Sequence, residues 1–319
     1  MFDLAVPEAA LAGDGARVLG MLVRFGFRGI AISVTSDGNL NKSKPCQIDR
    51  SKYAAMLEKA AGDAVVPRAS PPLLAQANSD LPRSLAATTF DLFTRLSVVL
   101  DNPSHNYSIS SGSPIVASYD ILAVHPKTEK LFQAACQQLE VDIVSLDMGS
   151  RLPFHLRHPT INAAIQRGVH FEICYAPAIR DSTARRHIIS NSAALMRATK
   201  GRNIVLSSEL VQAFDLRGPH DIANLAALFS MNQAQAMAAL TTNVRAVLLH
   251  AATRRDTYRA VMSMEASGIP GAPGETPDDH ENPDARPGSA ARKWKAARLE
   301  DQDFISFDDL GGDEDPMDM

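Results

Sequence analysis

The residues best suited to chemistry are nine basic side chains concentrated between Arg151 and Arg202. Only Glu172 and Asp181 oppose them, so this stretch has a net charge of +7, whereas the whole chain carries −4. The planar guanidinium fork matches the geometry of a phosphate group. The stretch therefore predicts phosphate binding. Its basic members are Arg151, Arg157, Arg167, Arg180, Arg185, Arg186, Arg197, Lys200 and Arg202.

The helix predicted after Arg180 leaves two interpretations open. Asp181 or Ser182 is a suitable N-cap, because either side chain accepts a hydrogen bond from free amides of the first turn. At about 100° per residue, Arg185 falls within the apolar arc of this helix. It then either pairs with Asp181 at i, i+4, or joins Arg180 and the helix N-terminus in holding a phosphate.

Histidine and carboxylate side chains give a weaker indication of a metal site. His125, Asp147 and His250 each follow a predicted strand and could in principle converge on a metal, but no tight ligand pair supports this, so each is better explained as a solvated rim or capping residue. His155 and His158 are three apart but lack cysteine or acidic companions. No CxxC, GxGxxG, P-loop or GxSxG motif is present, so the sequence shows no zinc-ribbon, nucleotide or serine-hydrolase signature.

Eight short apolar segments alternate with helical patterns and are predicted to be parallel strands buried on both faces. This order predicts an α/β fold, a (β/α)8 TIM-like barrel, with a doubly wound open sheet as the alternative. The segments lie near residues 2–6, 29–34, 94–100, 120–124, 141–146, 169–174, 203–206 and 246–249.

A barrel divides the basic side chains between its two ends. Loops after the strands emerge at one rim, where such folds carry their sites. We expect seven arginines there as phosphate-binding residues: Arg151, Arg180, Arg185, Arg186, Arg217, Arg254 and Arg255. Arg197, Lys200 and Arg202 precede the seventh strand, so they form a second basic patch at the opposite end.

Composition divides the chain into a barrel domain, residues 1–266, and a tail, residues 267–319. Residues 270–319 have a net charge of −9 and few apolar side chains, which predicts disorder. Without them the remaining chain carries +5. Residues 35–90 are predicted to be a long, partly disordered loop or insertion. No secretory signal and no run of the roughly 20 apolar residues that span a bilayer is seen, so we expect a soluble intracellular protein without membrane contact.

Several motifs together resemble a known family. The segments RLPF, FEI-Y-PA-RD, ARR and ATKGRNI-SS occur in order, after FDLAVP and TRLSVVLD. They resemble the TIM-barrel-like protein subunit shared by eukaryotic ribonuclease P and ribonuclease MRP. The resemblance implies a barrel related to polymerase-and-histidinol-phosphatase metallophosphoesterases. It also implies a non-catalytic subunit of an RNA-based endonuclease that removes 5′ leaders from precursor tRNA, with ribosomal RNA processing by the MRP particle.

The same resemblance implies partners and a location. These are ribonuclease P RNA and MRP RNA, other protein subunits including a small one that docks on the barrel, precursor tRNA indirectly, and the nucleus and nucleolus. The metallophosphoesterases carry HxH at the end of their first strand, where this chain has Phe2-Asp3-Leu4. We therefore expect no metal or cofactor bound by the protein itself, with Mg²⁺ held by the catalytic RNA. The rival hypotheses are a metal-dependent phosphoesterase and a barrel that binds only proteins, with its arginines paired internally.

Overall fold

A computed structural model describes residues 1–38, 40, 45–61, 65–68, 88–104, 109, 113–258 and 261–262. The chain divides into two units, Met1–Met264 and Glu265–Met319, and all of these residues belong to the first. The predicted tail, residues 267–319, lies outside the described residues. In the described part, no helix is both long enough and apolar enough to cross a membrane.

Seven parallel strands form a nearly closed TIM-like barrel in the order β1-β2-β4-β5-β6-β7-β8, and β3 pairs with β4 beside this path. The first seven predicted strands are confirmed, because strands buried on both faces appear in sequence as uninterrupted apolar runs. The strands are β1 Phe2–Pro7, β2 Gly29–Asp37, β3 Val65–Arg68, β4 Thr88–Leu100, β5 Ile121–Pro126, β6 Ile143–Ser145, β7 His170–Cys174 and β8 Ile204–Ser207. A short antiparallel pair follows, β9 Thr257–Tyr258 and β10 Val261–Met262.

Helices cover the outside of the barrel and bury its outward-facing apolar residues in one large core. They are α1 Glu8–Arg24, α2 Arg50–Ala61, α3 Pro114–Ala117, α4 Glu129–Gln137, α5 His158–Gln166, α6 Ala176–Arg180, α7 Ser182–Thr199, α8 Pro219–Ala226, α9 Gln233–Leu240 and α10 Thr242–Asp256. Within the predicted 35–90 insertion, α2 forms a regular helix, and β2 extends to Asp37. Residues 69–87 of that insertion lie outside the described residues.

The predicted eighth strand, Ala246–Leu249, is wrong, because these residues belong to α10. A four-residue apolar run does not distinguish a strand from a buried helix. The wider spacing does, since the buried apolar residues recur at i, i+3, i+4 and i+7. They are Val244, Val247, Leu248 and Ala251.

Helix α10 fills the end of the barrel where the strands begin. Four of its buried side chains, from Val244 to Ala251, share a second apolar cluster with inward-facing residues near the strand starts, among them Phe2, Phe93, Ile121 and Ile143. The inside of the barrel is therefore sealed at this end, which we call the base. The opposite end, where the strands finish, we call the mouth.

The barrel closes between β1 and β8 through a few specific hydrogen bonds. The Ser208 backbone N–H donates to Asp3 Oδ1 over 3.1 Å, and the Glu209 backbone N–H donates to the Ala5 carbonyl over 2.9 Å. Asp3 is buried, and its pKa is raised by loss of water even though Ser208 donates to it. This seam brings the first and last strands of the barrel together.

Candidate functional site

The floor of the mouth is an ion pair between Arg95 of β4 and Glu172 of β7. Arg95 Nη1 donates to Glu172 Oε1 over 2.5 Å, and Nη2 donates to Oε2 over 2.6 Å. Arg95 also donates to Ser97 Oγ and to the Leu4 carbonyl. Both side chains of the pair are only 1% exposed. The guanidinium therefore engages both carboxylate oxygens in a bidentate pair.

This pair controls the charge of its neighbours. Burial alone would raise the pKa of Glu172, but the charge and hydrogen bonds of Arg95 bring it down to about 2. Loss of water around the ring, followed by the charge of Arg95, lowers the pKa of His125 to about 4. At neutral pH the floor thus holds an ionised pair beside an uncharged imidazole.

A cavity of about 490 Å³, the mouth cavity, opens at this end of the barrel. An adjoining cavity of about 160 Å³ shares His125, Leu146, Asp147 and Glu209 with it. Asp147 is held in place because its carboxylate accepts from the Gly149 N–H over 3.1 Å and from Ser150 Oγ over 2.9 Å. The mouth cavity is lined by Thr35, Val99, His125, Pro126, Lys127, Leu146, Asp147, Ser150, Arg151, Leu152, Pro153, Phe154 and Glu209.

Five of the predicted arginines lie at the mouth, and we call them the mouth patch: Arg151, Arg180, Arg185, Arg186 and Arg217. They belong to the segments that follow β6, β7 and β8. Asn191 of α7 ties two of these segments together by donating to the Met148 and Ser150 carbonyls over 3.0 and 2.7 Å. The prediction that Arg151, Arg180 and Arg185 share one end of the barrel is confirmed.

The side chains of the mouth patch differ in the hydrogen bonds and ion pairs that they make within the protein. Arg180 Nη1 donates to Asp215 over 3.0 Å, and its side chain is 34% exposed. Arg217 donates to two carbonyls of its own loop. Arg151 and Arg186 are exposed. The last two are the freest cations of the patch.

Arg185 does not pair with Asp181, which was one of the two arrangements considered from the sequence. Asp181 is the N-cap of α7 and accepts from the backbone N–H groups of Thr183 and Ala184, which lowers its pKa. Arg185 instead donates to the Ala178 carbonyl over 2.6 Å and to the Ile179 carbonyl over 3.2 Å. It thus satisfies the last carbonyls of α6, where a cation also complements the helix dipole.

Arg197, Lys200 and Arg202 lie near the base, as predicted, because α7 runs back along the barrel before β8 begins. We call these three the base patch. All three are exposed, and Arg202 donates to Asn162 Oδ1 over 3.2 Å. Lys200 ends α7 in the left-handed conformation with φ of 55°. One basic stretch of sequence therefore forms two separate patches.

Arg254 and Arg255 do not lie at the rim, so that placement is wrong. Both belong to α10 at the base, because the strand predicted before them is helical. Arg254 Nη2 lies 3.0 Å from Asp142 Oδ2, and its side chain is 4% exposed. Arg255 Nη1 donates to Asp120 over 2.6 Å. These arginines fasten α10 to the strand starts instead of presenting their charge to a ligand.

The three groups considered for a metal site are also separated. His125 and Asp147 line the mouth cavity, whereas His250 lies on α10 at the base with Nδ1 2.8 Å from Asp142 Oδ1. Across the residues the structure describes, no three His, Cys, Asp or Glu side chains are grouped closely enough to hold a metal. Glu172 already has both oxygens on Arg95. The donor set therefore does not fit the metal site considered from the sequence.

Sequence reasoning missed the Arg95–Glu172 pair, although a signal was present. Each residue is the charged member of an otherwise apolar strand, TRLSVVL and FEIC. Charged residues are almost never fully buried unless they are paired, so two of opposite sign in two core strands indicate an internal partner. The pairing itself required the barrel geometry.

The fold and the site together define a TIM-like α/β barrel with a plugged base and an arginine-bearing mouth. A chain in the cryo-EM structure of archaeal ribonuclease P with mature tRNA has the same fold. Its TM-score is 0.56 at 12% identity, and the match covers 83% of this chain and 97% of that one.

This chain belongs to the RNase P subunit p30 family, whose profile matches residues 1–256. Ribonuclease P protein subunit p30 of Mus musculus is 44% identical over 174 residues, which are 54% of this chain and 65% of that protein. Ribonuclease P/MRP protein subunit RPP1 of Saccharomyces cerevisiae is 30% identical over 172 residues, 54% of this chain and 58% of that protein. The chain thus spans less than two thirds of each of these two relatives.

Proposed function

We propose that this protein is a non-catalytic subunit of the ribonuclease P ribonucleoprotein, and of ribonuclease MRP. In this role it supports the catalytic RNA during removal of 5′ leaders from precursor tRNA and during ribosomal RNA processing. The observation that carries the proposal is family membership over residues 1–256. Mg²⁺ then belongs to the RNA, and the expected location is the nucleus and nucleolus.

The two basic patches suit an RNA partner. The mouth patch and the base patch lie at opposite ends of the barrel, and phosphate contacts supply most of the sequence-independent affinity for a nucleic acid. Arg151 and Arg186 at the mouth, with Arg197 and Lys200 at the base, have exposed side chains. We propose that ribonuclease P RNA and MRP RNA contact these patches, and that other protein subunits, including a small one, cover further parts of the barrel.

The test is recovery of the RNA partner from cells. A tagged full-length chain is purified from its own organism and the associated RNA is sequenced. We expect enrichment of ribonuclease P RNA and MRP RNA over a tagged control protein of similar charge, together with precursor-tRNA cleavage by the purified particle. Failure to enrich either RNA would contradict the proposal.

A metal-dependent phosphoesterase is the second function considered, and the donor set of the mouth does not favour it. Its assay uses the purified chain with Mn²⁺ or Zn²⁺ and a phosphodiester substrate. We expect no hydrolysis above the buffer rate. Hydrolysis that disappears in His125→Ala, but persists in His250→Ala at the base, would restore the enzyme hypothesis.

A further inference from the structure

Apart from Arg151, the lining of the mouth cavity has no part in the function proposed so far. Its volume of about 490 Å³ falls within the range of roughly 300–1,000 Å³ typical of ligand pockets. Its wall combines apolar side chains, such as Leu152 and Phe154, with the polar groups of His125, Asp147 and Arg151. Such a wall suits a flat, partly apolar ligand that carries a few polar atoms and a negative charge.

Two polar groups at this cavity are prepared for a ligand. The Asp147 carboxylate is oriented by Gly149 and Ser150, and an ionised carboxylate retains further acceptor positions. Arg151 is exposed, and in the described part of the chain it makes no hydrogen bond or ion pair of its own. The cavity thus offers an oriented acceptor and a free cation within one lining.

We propose that the mouth cavity binds one unstacked nucleotide, with the base inside the cavity, an exocyclic amino group donating to Asp147, and the phosphate at Arg151. This inference rests on the proposed function, because RNA is the partner that would present such a nucleotide. Single-stranded RNA is read through splayed bases whose edges form hydrogen bonds. A free mononucleotide carries the same base and phosphate and would bind through the same contacts.

The carboxylate predicts which bases bind. Adenine, cytosine and guanine each carry an amino group that can donate to Asp147, as carboxylates accept from the amino group of cytosine in DNA complexes. Uracil presents the O4 carbonyl where adenine and cytosine carry their amino group, and the O2 carbonyl where guanine carries its own, and a carboxylate repels both oxygens. We expect the amino-bearing bases to bind about tenfold more tightly than uracil, the discrimination typical of one good base contact.

The experiment titrates the full-length chain with AMP, CMP, GMP, UMP and adenosine, and then with short single-stranded oligoribonucleotides of one base each. Asp147→Asn should reduce or reverse the preference against uracil, because an amide can donate to a carbonyl. Arg151→Ala should weaken the binding of every nucleotide by a similar factor. It should leave the binding of adenosine unchanged, because adenosine has no phosphate. Arg24→Ala, at an exposed arginine in the last turn of α1 and outside both basic patches, is the matched control and should leave binding unchanged. Thermal unfolding confirms that each variant is folded.

The outcomes separate the source of the nucleotide and the two proposals. Binding of mononucleotides means that a free nucleotide suffices, and binding of oligoribonucleotides alone means that the nucleotide must belong to a strand; both support the inference. If no ligand shows a base preference that Asp147→Asn alters, the inference is wrong. If the chain still enriches ribonuclease P RNA from cells, only the nucleotide-binding inference is contradicted. If that enrichment is lost, the proposed function is contradicted.

Discussion

Arg95 and Glu172 meet across the inside of the barrel, although the strands that carry them are separated in the sheet by β5 and β6. The pair therefore links opposite walls of the barrel. It also places a balanced charge at the floor of the mouth, where a carboxylate without a partner would be free to bind a cation. The link is both a structural cross-brace and the reason that Glu172 is unavailable to ligands.

Removing one member of this pair should cost more than removing both. Glu172→Gln leaves the Arg95 charge buried and incompletely paired, and we expect the free energy of unfolding to fall by about 3–5 kcal/mol. Arg95→Met combined with Glu172→Leu should lose less than either of these two changes made alone, because neither charge then remains. Urea unfolding of the unmodified chain, Arg95→Met, Glu172→Leu and the double variant measures this coupling. Strictly additive losses would show that the pair is not coupled.

Acid should destabilise the fold in two separate pH windows. Burial lowers the pKa of both His125 and His170 from 6.5 to about 4, so the unfolded chain binds the extra protons first. Stability is then lost as the pH falls from about 6.5 to 4, by about 3 kcal/mol at most for each histidine. Glu172, whose pKa falls from 4.5 to about 2, adds a loss between those two values.

Two variants test which residue causes the loss of stability in each pH window. His170→Asn keeps a donor for the Gly168 carbonyl and should remove only the His170 part of the loss in the upper window, because His125 titrates there as well. Glu172→Gln should flatten only the lower window. Urea unfolding midpoints recorded at intervals from pH 7 to pH 2 supply the curves. An upper window that is unchanged in His170→Asn would show that His170 does not contribute to it.

The stability of the packing of α10 against the base should depend on Arg254 more than on Arg255. Arg254→Ala removes a cation from Asp142, which is 0% exposed, and we expect a loss of about 3–5 kcal/mol. Arg255 is 31% exposed and its partner Asp120 also pairs with Arg50, so Arg255→Ala should lose about 1 kcal/mol. Thermal unfolding compares the two. Equal losses would mean that burial of an ion pair does not determine how much the pair contributes to stability.

Two adjacent arginines of α7 should separate RNA binding from stability. Arg186→Ala removes an exposed charge, so the unfolding midpoint should hold while the slope of log K against log salt falls by roughly 0.7–0.9 for each phosphate that is no longer bound. Arg185→Ala frees the last carbonyls of α6 and should lower stability by about 1–2 kcal/mol. Binding measured at several salt concentrations, beside thermal unfolding, tests both. An unchanged slope in Arg186→Ala would remove Arg186 from the RNA-binding surface.

The fold was largely accessible from the sequence because parallel strands buried on both faces are continuous apolar runs. Seven strands were predicted in this way, and the failure at Ala246–Leu249 has a local cause. Four apolar residues fit either a strand or a helix, and only the longer recurrence from Val244 to Ala251 favours the helix. Helix α10, not an eighth strand, therefore completes the interior.

The division of basic residues between the two ends was also predictable, because it follows from strand and helix direction alone. The partners of individual arginines were not. Asp215 lies 35 positions from Arg180, Asp142 lies 112 from Arg254, and Asp120 lies 135 from Arg255. Only the closed barrel brings these pairs together. Charge in sequence thus predicts where a cation lies, and the folded structure decides whether it is free.

The seam between β1 and β8 constrains how the chain folds as it is made. Asp3 meets the backbone of Ser208, 205 positions later, and α10 enters the base later still. On the ribosome, β1 to β7 emerge as an open arc whose apolar inner surface has nothing to cover it. Non-local contacts of this kind form slowly and leave nascent chains prone to aggregation. The barrel is therefore completed near the end of translation of this domain, and the arc that precedes it is a natural client for chaperones.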